Sequence, residues 1–226
     1  ILDSSSNAFS NSVELKADTG GNEAFGNITF VDSAAVDFDS SASANGDLFI
    51  NASTDGAVGG NLNVTATTGN ITQNAALTIT GTTTLTTSAN DATITLNNTS
   101  NAFTGAMTIT TNDASGTDAD VTIDGGTTAL VIAASTVDGD LALRTGNASG
   151  ITDTGTVTVG GNFTGTTDAN SGVINMGSMA VDGTFTLAPN GTGAVTIVND
   201  DGINFEASTI CLLYTSPSPP DRGGAR

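Results

Sequence analysis

An all-β fold is predicted, a single-stranded parallel β-helix (β-solenoid) with about 22 residues and three short strands per coil, and three observations predict it. The first is a column pattern: VDGDLAL from Val137, VGGNFTG from Val159 and VDGTFTL from Val181 repeat at a step of 22 residues, and an aliphatic residue recurs at Ile203. Leu141, Phe163 and Phe185 keep the same step, as do Ile151, Val173 and Val195. The second is short runs of alternating apolar and polar residues broken by Gly, Asn and Asp, the signals of strands and turns. The third is a longer duplication, because ILDSSSNAFSNSVEL from Ile1 returns as LNNTSNAFTGAMTI, with Leu2 on Leu96 and Phe9 on Phe103, 94 residues apart. Self-similarity at a fixed period marks a stack of units, none of which can bury its apolar face alone.

Taken in order, residues 1–45 are the least regular, although ITFVD from Ile28 and AAVDF from Ala34 have strand character. The coil from Val58 is the clearest: GGNLNVTAT is one strand, NITQ after the turn at Thr68 and Gly69 a second, and ALTIT a third. The glycines at the third place of each unit (Gly60, Gly81, Gly105, Gly139, Gly161, Gly183) are expected at coil corners, where positive φ or close approach excludes a side chain. Between Asn112 and Thr128 the phase loosens, which predicts a loop or a longer coil. From Val137 the 22-residue step predicts three interior ladders: Val137, Val159, Val181; Leu141, Phe163, Phe185; and Ile151, Val173, Val195. Asp140, Asn162, Thr184, Ala142, Thr164 and Thr186 then face solvent. About 210 residues at that step would make nine or ten coils.

Residues 1–210 are thus read as one solenoid segment of a longer protein, since the chain opens without Met and in mid-pattern. Residues 211–226 differ in kind. They hold the only Cys, the only Tyr and three of the four prolines. CLLYTSPSP there resembles the translation of a transposon-type sequencing adapter, departing from it at Pro220, where the adapter carries Arg. This tail is expected to be non-native or disordered and to lie outside the fold.

Composition narrows the function. With 23 acidic residues against four basic and no His, the net charge is −19, which repels nucleic acid and anionic headgroups. No apolar run approaches 18 residues, so no membrane insertion is expected. The single Cys211 allows no internal disulfide, a usage common in exported bacterial proteins.

GNLNVTATTGNITQNAALTITGTTTL and the SNAFTGAMTI that follows resemble the repeat region of filamentous-haemagglutinin-type exoproteins, the large bacterial adhesins of two-partner secretion. The resemblance covers Val58 to about Phe205. It implies a right-handed parallel β-helix serving as shaft, a secreted or cell-surface location, and an outer-membrane transporter as export partner. It also implies that a host or environmental ligand is bound by other parts of the parent protein.

Candidate chemistry is sparse. Without His, and without Cys before the tail, only carboxylates could act, for instance Asp37 with Asp39 or Asp138 with Asp140 in the manner of a glycosidase. Lys16 and Arg144 are the only basic residues before the tail, too few for chemistry on acidic sugars, so no catalytic residue is assigned and no enzyme activity is expected. Oxygen-rich turns at Asp118, Asp120 and Asp124, with Asp113 nearby, and at Asp200 and Asp201 are candidate weak calcium positions, calcium being the one cofactor considered. Asp in turns serves equally as a main-chain hydrogen-bond acceptor. Nine Asn-x-Ser/Thr sequons, Asn63, Asn70, Asn97 and Asn162 among them, are glycosylation candidates. Thr pairs such as Thr84 and Thr86, Thr108 and Thr110, or Thr156 and Thr158 would form an ice-binding type of array if stacked, but their spacing does not keep one phase. The expected function is a structural shaft. The alternatives are an ice- or glycan-binding solenoid and, behind it, a polysaccharide-active β-helix enzyme.

Overall fold

The computed structural model describes residues 1–9, 13–15, 27–39, 47–50, 57–58, 60–114, 118–169 and 171–210. The described chain is all-β, and every strand pairing is parallel. It winds as a β-solenoid of about six turns. Residues 211–226, with Cys211, lie outside the described residues, as does Lys16.

Each regular coil has three sides. Strands Leu62–Ala66, Thr83–Asn90, Met107–Asn112, Ser135–Val137 and Val157–Val159 stack on the first. Strands Val36–Asp39, Ile71–Gln73, Ile94–Leu96, Val121–Asp124, Leu141–Thr145, Phe163–Thr167 and Phe185–Ala188 stack on the second. The third side is a short sheet of Ala57–Val58, Thr78–Ile79 and Ala102–Phe103, continued further along by Leu130–Ile132, Ile151–Asp153 and the start of Ile174–Val181.

Alternation in the sequence becomes alternation of burial, because strand side chains point to opposite faces in turn. Leu62–Ala66 runs buried, exposed, buried, half-buried, buried. The inward residues form one narrow core in which Val64, Ile71, Leu85, Ile94, Ile109, Ile123, Leu141, Phe163 and Phe185 are fully buried. The Phe163 and Phe185 ring centroids lie 6.0 Å apart and tilted, and Phe205 continues the stack at 6.2 Å from Phe185. Tilted rings at this spacing bring a positive edge toward a negative face.

Two of the three expected ladders stand in register: Val137↔Val159↔Val181 and Leu141↔Phe163↔Phe185. Their neighbours Asp140, Asn162, Thr184, Ala142, Thr164 and Thr186 are all at least partly exposed. The third ladder is different: Ile151 pairs with Ile174, not Val173, and Ile174 with Val195. The segment between Thr167 and Ile174 is one residue longer than that between Thr145 and Ile151, so Ile174 takes the inward place and Val173 is left half-buried. Two adjacent aliphatic residues make the two registers look alike in sequence. Ile203 likewise does not extend the first ladder; it is 42% exposed, and Asn199 Oδ1 instead accepts Val181 N at 2.9 Å.

The turn count also falls short of nine or ten, because coil length varies. Along the second side the steps from Val36 to Ile71, Ile94, Val121, Leu141, Phe163 and Phe185 are 35, 23, 27, 20, 22 and 22 residues. The 27-residue coil holds the loosened stretch around 113–120. In the first step the chain doubles back, since Asp47–Ile50 pairs on the far side of Val36–Asp39 from Ile71–Gln73.

The duplicated tetrad builds one turn twice. Asn7 N donates to Ser4 O and Asn101 N to Asn98 O, both at 3.0 Å. Each Asn side chain then donates to a carbonyl about one coil on, Asn7 to Val31 at 3.1 Å and Asn101 to Asp124 at 3.0 Å.

The corner glycines Gly81, Gly105, Gly139, Gly161 and Gly183 are required by close approach and not by positive φ. Gly161 N donates to Gly139 O and Gly183 N to Gly161 O, both at 3.0 Å, so the three stack coil on coil. A Cβ on Gly161 would meet the Asp140 carboxylate and lie 2.9 Å from Gly139 C. Gly161→Ala should therefore cost about 1–3 kcal/mol or more. Gly177→Ala, whose Cβ would find nothing nearer than 3.9 Å, should stay within about 0.5 kcal/mol. Urea unfolding of both variants checks the pair; equal stability would mean that the corners are not packed as described.

Candidate functional site

Turn side chains form ladders of their own. Asp120 Oδ1 accepts Asp140 N at 2.8 Å, Asp140 Oδ1 accepts Asn162 N at 2.6 Å, and Asn162 Oδ1 accepts Thr184 N at 2.9 Å. Asn70 Oδ1 does the same for Thr93 N at 2.9 Å. Each coil thus caps a main-chain donor that the next coil leaves open at its corner, where strand pairing stops.

This places the calcium candidates. Asp120 is a capping residue, exposed Asp118 lies in the same loop, Asp124 sits on the second side, and Asp200 and Asp201 are exposed in the last coil. Among the described residues no three acidic side chains are arranged to hold a metal ion. The carboxylate pairs are likewise engaged. Asp37 accepts from Thr72 Oγ1 at 2.8 Å and Asn74 Nδ2 at 2.6 Å, while Asp138 accepts Asp113 N at 2.9 Å. The Asp39 side chain lies outside the described residues. Two sequon asparagines, Asn70 and Asn162, are capping residues, and Asn63 and Asn97 are exposed.

Sequence spacing missed the hydroxyl columns. On the first side Thr65, Thr86, Thr110, Thr136 and Thr158 are paired in strict register over five coils, closing on Ala180. Asn63, Thr84 and Thr108 stack beside the first three. They looked out of phase because coil lengths differ, and the turns absorb the differences. No outward residue of the paired strands on this side from Leu62 to Val159 is charged.

A second hydroxyl column runs along the second side as Thr72, Thr95, Thr122, Ala142, Thr164 and Thr186. Ala142 breaks it. Beside it stand Asp124, Arg144 and Thr166, also in register. An open groove of about 340 Å³ lies over Ala142, with Asn97 and Thr99 on its rim. Arg144 is the only described cationic side chain; its Nε donates to Asp168 at 2.7 Å and lies 3.8 Å from Asp124 Oδ2. The Asp124 side chain is only 7% exposed, and burial pushes its carboxyl above the usual range, against the opposing pull of Gly126 N and Arg144.

Asp91, at φ 62°, is also pushed above its ordinary 3.8, first by a hydrogen bond with Asp113, then by desolvation and, last, by the charges of Asp113 and Asp118. A raised carboxyl favours its protonated form in the fold. The stability it contributes is complete below the unfolded value and lost as pH rises through the folded one. Asp91→Asn keeps a side chain that tolerates positive φ and removes the repulsion. Its melting temperature should be slightly higher than the parent's at pH 7, and the difference should shrink toward pH 4. A lower value at pH 7 would show that the carboxylate is stabilising there.

The sequence pattern of one family, described as repeats of unknown function (DUF5649), matches residues 45–110 and 118–175, more than half of the chain. The unmatched residues 111–117 fall within the 27-residue step from Ile94 to Val121. No curated protein and no solved structure matches the chain. The chain belongs to the family of DUF5649 repeats.

Proposed function

We propose that this chain is a structural segment of a secreted or cell-surface bacterial exoprotein of the adhesin type, a shaft that holds a distal binding region away from the cell. The observation carrying this reading is the continuity of the axial ladders: the second side pairs without a break from Val36–Asp39 to Phe185–Ala188, and the core runs through every coil. About six turns at about 4.8 Å each make roughly 30 Å of stiff rod. The resemblance of its repeats to filamentous-haemagglutinin-type shafts supports the same role. In this reading the segment carries no catalytic step and needs no cofactor, calcium at the acidic turns being at most an aid to stability. It binds neither nucleic acid nor bilayer, and its export partner is an outer-membrane transporter. Immunogold labelling of intact source cells with antibody to the segment should decorate filaments between the envelope and their tips. Label confined to the cytoplasm would overturn the proposal.

The in-register, uncharged hydroxyl columns of the first side favour a second reading, an ice-binding face, since a lattice is matched only by groups held at a constant repeat. Purified chain should then inhibit ice recrystallisation, and Thr110→Lys, placing a bulky charge in mid-column at an exposed position, should abolish the effect without lowering the melting temperature. Absence of inhibition by the parent chain would rule this reading out.

A further inference from the structure

We propose that the groove over Ala142 is a binding site for a neutral oligosaccharide. It exists because one column is broken: Thr122 and Thr164 stand on either side of Ala142, one coil away in each direction, and the missing side-chain atoms leave a dip with a methyl floor. Its volume of about 340 Å³ is at the lower end of small-molecule sites, about 300–1,000 Å³.

The polar groups beside the dip are held in place and incompletely used. Asp124 is more than nine-tenths buried, with Oδ1 accepting Gly126 N at 2.8 Å. Its Oδ2 is 3.8 Å from Arg144 Nε, too long for a hydrogen bond, and accepts none from any described residue. Asp124 lines the groove, and a ligand hydroxyl can donate to this oxygen. Arg144 is fixed through Nε by Asp168, while its terminal amino groups donate to no described residue and remain available to accept-only partners. Acceptor and donor fork therefore lie side by side, with the Thr122, Thr164 and Thr166 hydroxyls around them. A vicinal diol fits this set, one hydroxyl donating to Asp124 Oδ2 and its neighbour accepting from Arg144.

Charge selects the neutral class. One guanidinium faces two carboxylates, Asp124 and Asp168, within a chain of net charge −19. A uronate or phosphate would be repelled at the site and at long range.

The test is titration of the ¹⁵N-labelled chain with cellohexaose, maltohexaose, mannohexaose and xylohexaose, and with oligogalacturonate and oligoalginate as acidic counterparts. At least one neutral oligomer should shift the amides of residues 122–124, 142–144 and 164–166 saturably. Ala142→Thr, which only restores the residue found in the neighbouring coils, should leave the melting temperature unchanged and weaken binding at least about tenfold, equivalent to about 1.4 kcal/mol. Asp124→Asn should weaken it as well. The proposal fails if no neutral oligomer perturbs these amides, if only the acidic ones do, or if Ala142→Thr binds as the parent does.

Discussion

Parallel pairing of each coil with the next is the interaction on which the rest of this structure depends. It holds successive coils at the strand spacing of about 4.8 Å, so a residue's environment is set mainly by the residues directly before and after it along the axis. Columns, and not local segments, are therefore the units of the fold. The inward column of Leu141, Phe163 and Phe185 must be free of charge, because one carboxylate there would be buried without a partner. A corner column must be glycine where main chains touch, as at Gly139, Gly161 and Gly183.

The same constraint explains why a chain of net charge −19 can coil so tightly. Most described carboxylates sit at corners and turns, where Asp120 and Asp140 cap main-chain amides of the next coil. Charge gathered there is turned to hydrogen bonding, while the first side is left neutral and hydroxylated. Where the acidic groups crowd, beside Asp113, the Asp91 carboxyl is pushed above its ordinary value, first by its hydrogen bond with Asp113 and then by the lesser effects of burial and neighbouring charge.

Regularity and its exceptions divide the functional argument. The unbroken ladders suit a rod, and they hold the hydroxyl columns of the first side at a constant repeat. The only cation among the described side chains, a nearly buried carboxylate and the Ala142 gap in a threonine column coincide on the second side. In a repeat protein a departure from the column pattern costs stability or solubility unless something uses it, which is why that groove carries the most specific chemistry described.

The sequence by itself determined the fold class, the approximate coil length, the corner glycines and two of the three interior ladders, because inward columns allow few residue types and show through as a fixed step. It also marked the stretch from Asn112 to Thr128 as a loop or a longer coil, and the longer coil is what the structure has there. Only the tertiary structure decided which of Val173 and Ile174 faces inward, how many turns the chain completes, and which threonines share a column. The physical reason is common to all three. Turns take up one to several extra residues at little cost, so residue counting loses register at each corner, whereas hydrogen-bonded pairing restores it. The groove was hidden for the same reason: Asp124 lies about one coil before Ala142 and Arg144, and Thr164 and Thr166 one coil after, so they become neighbours only when coils of 20 and 22 residues are laid on one another.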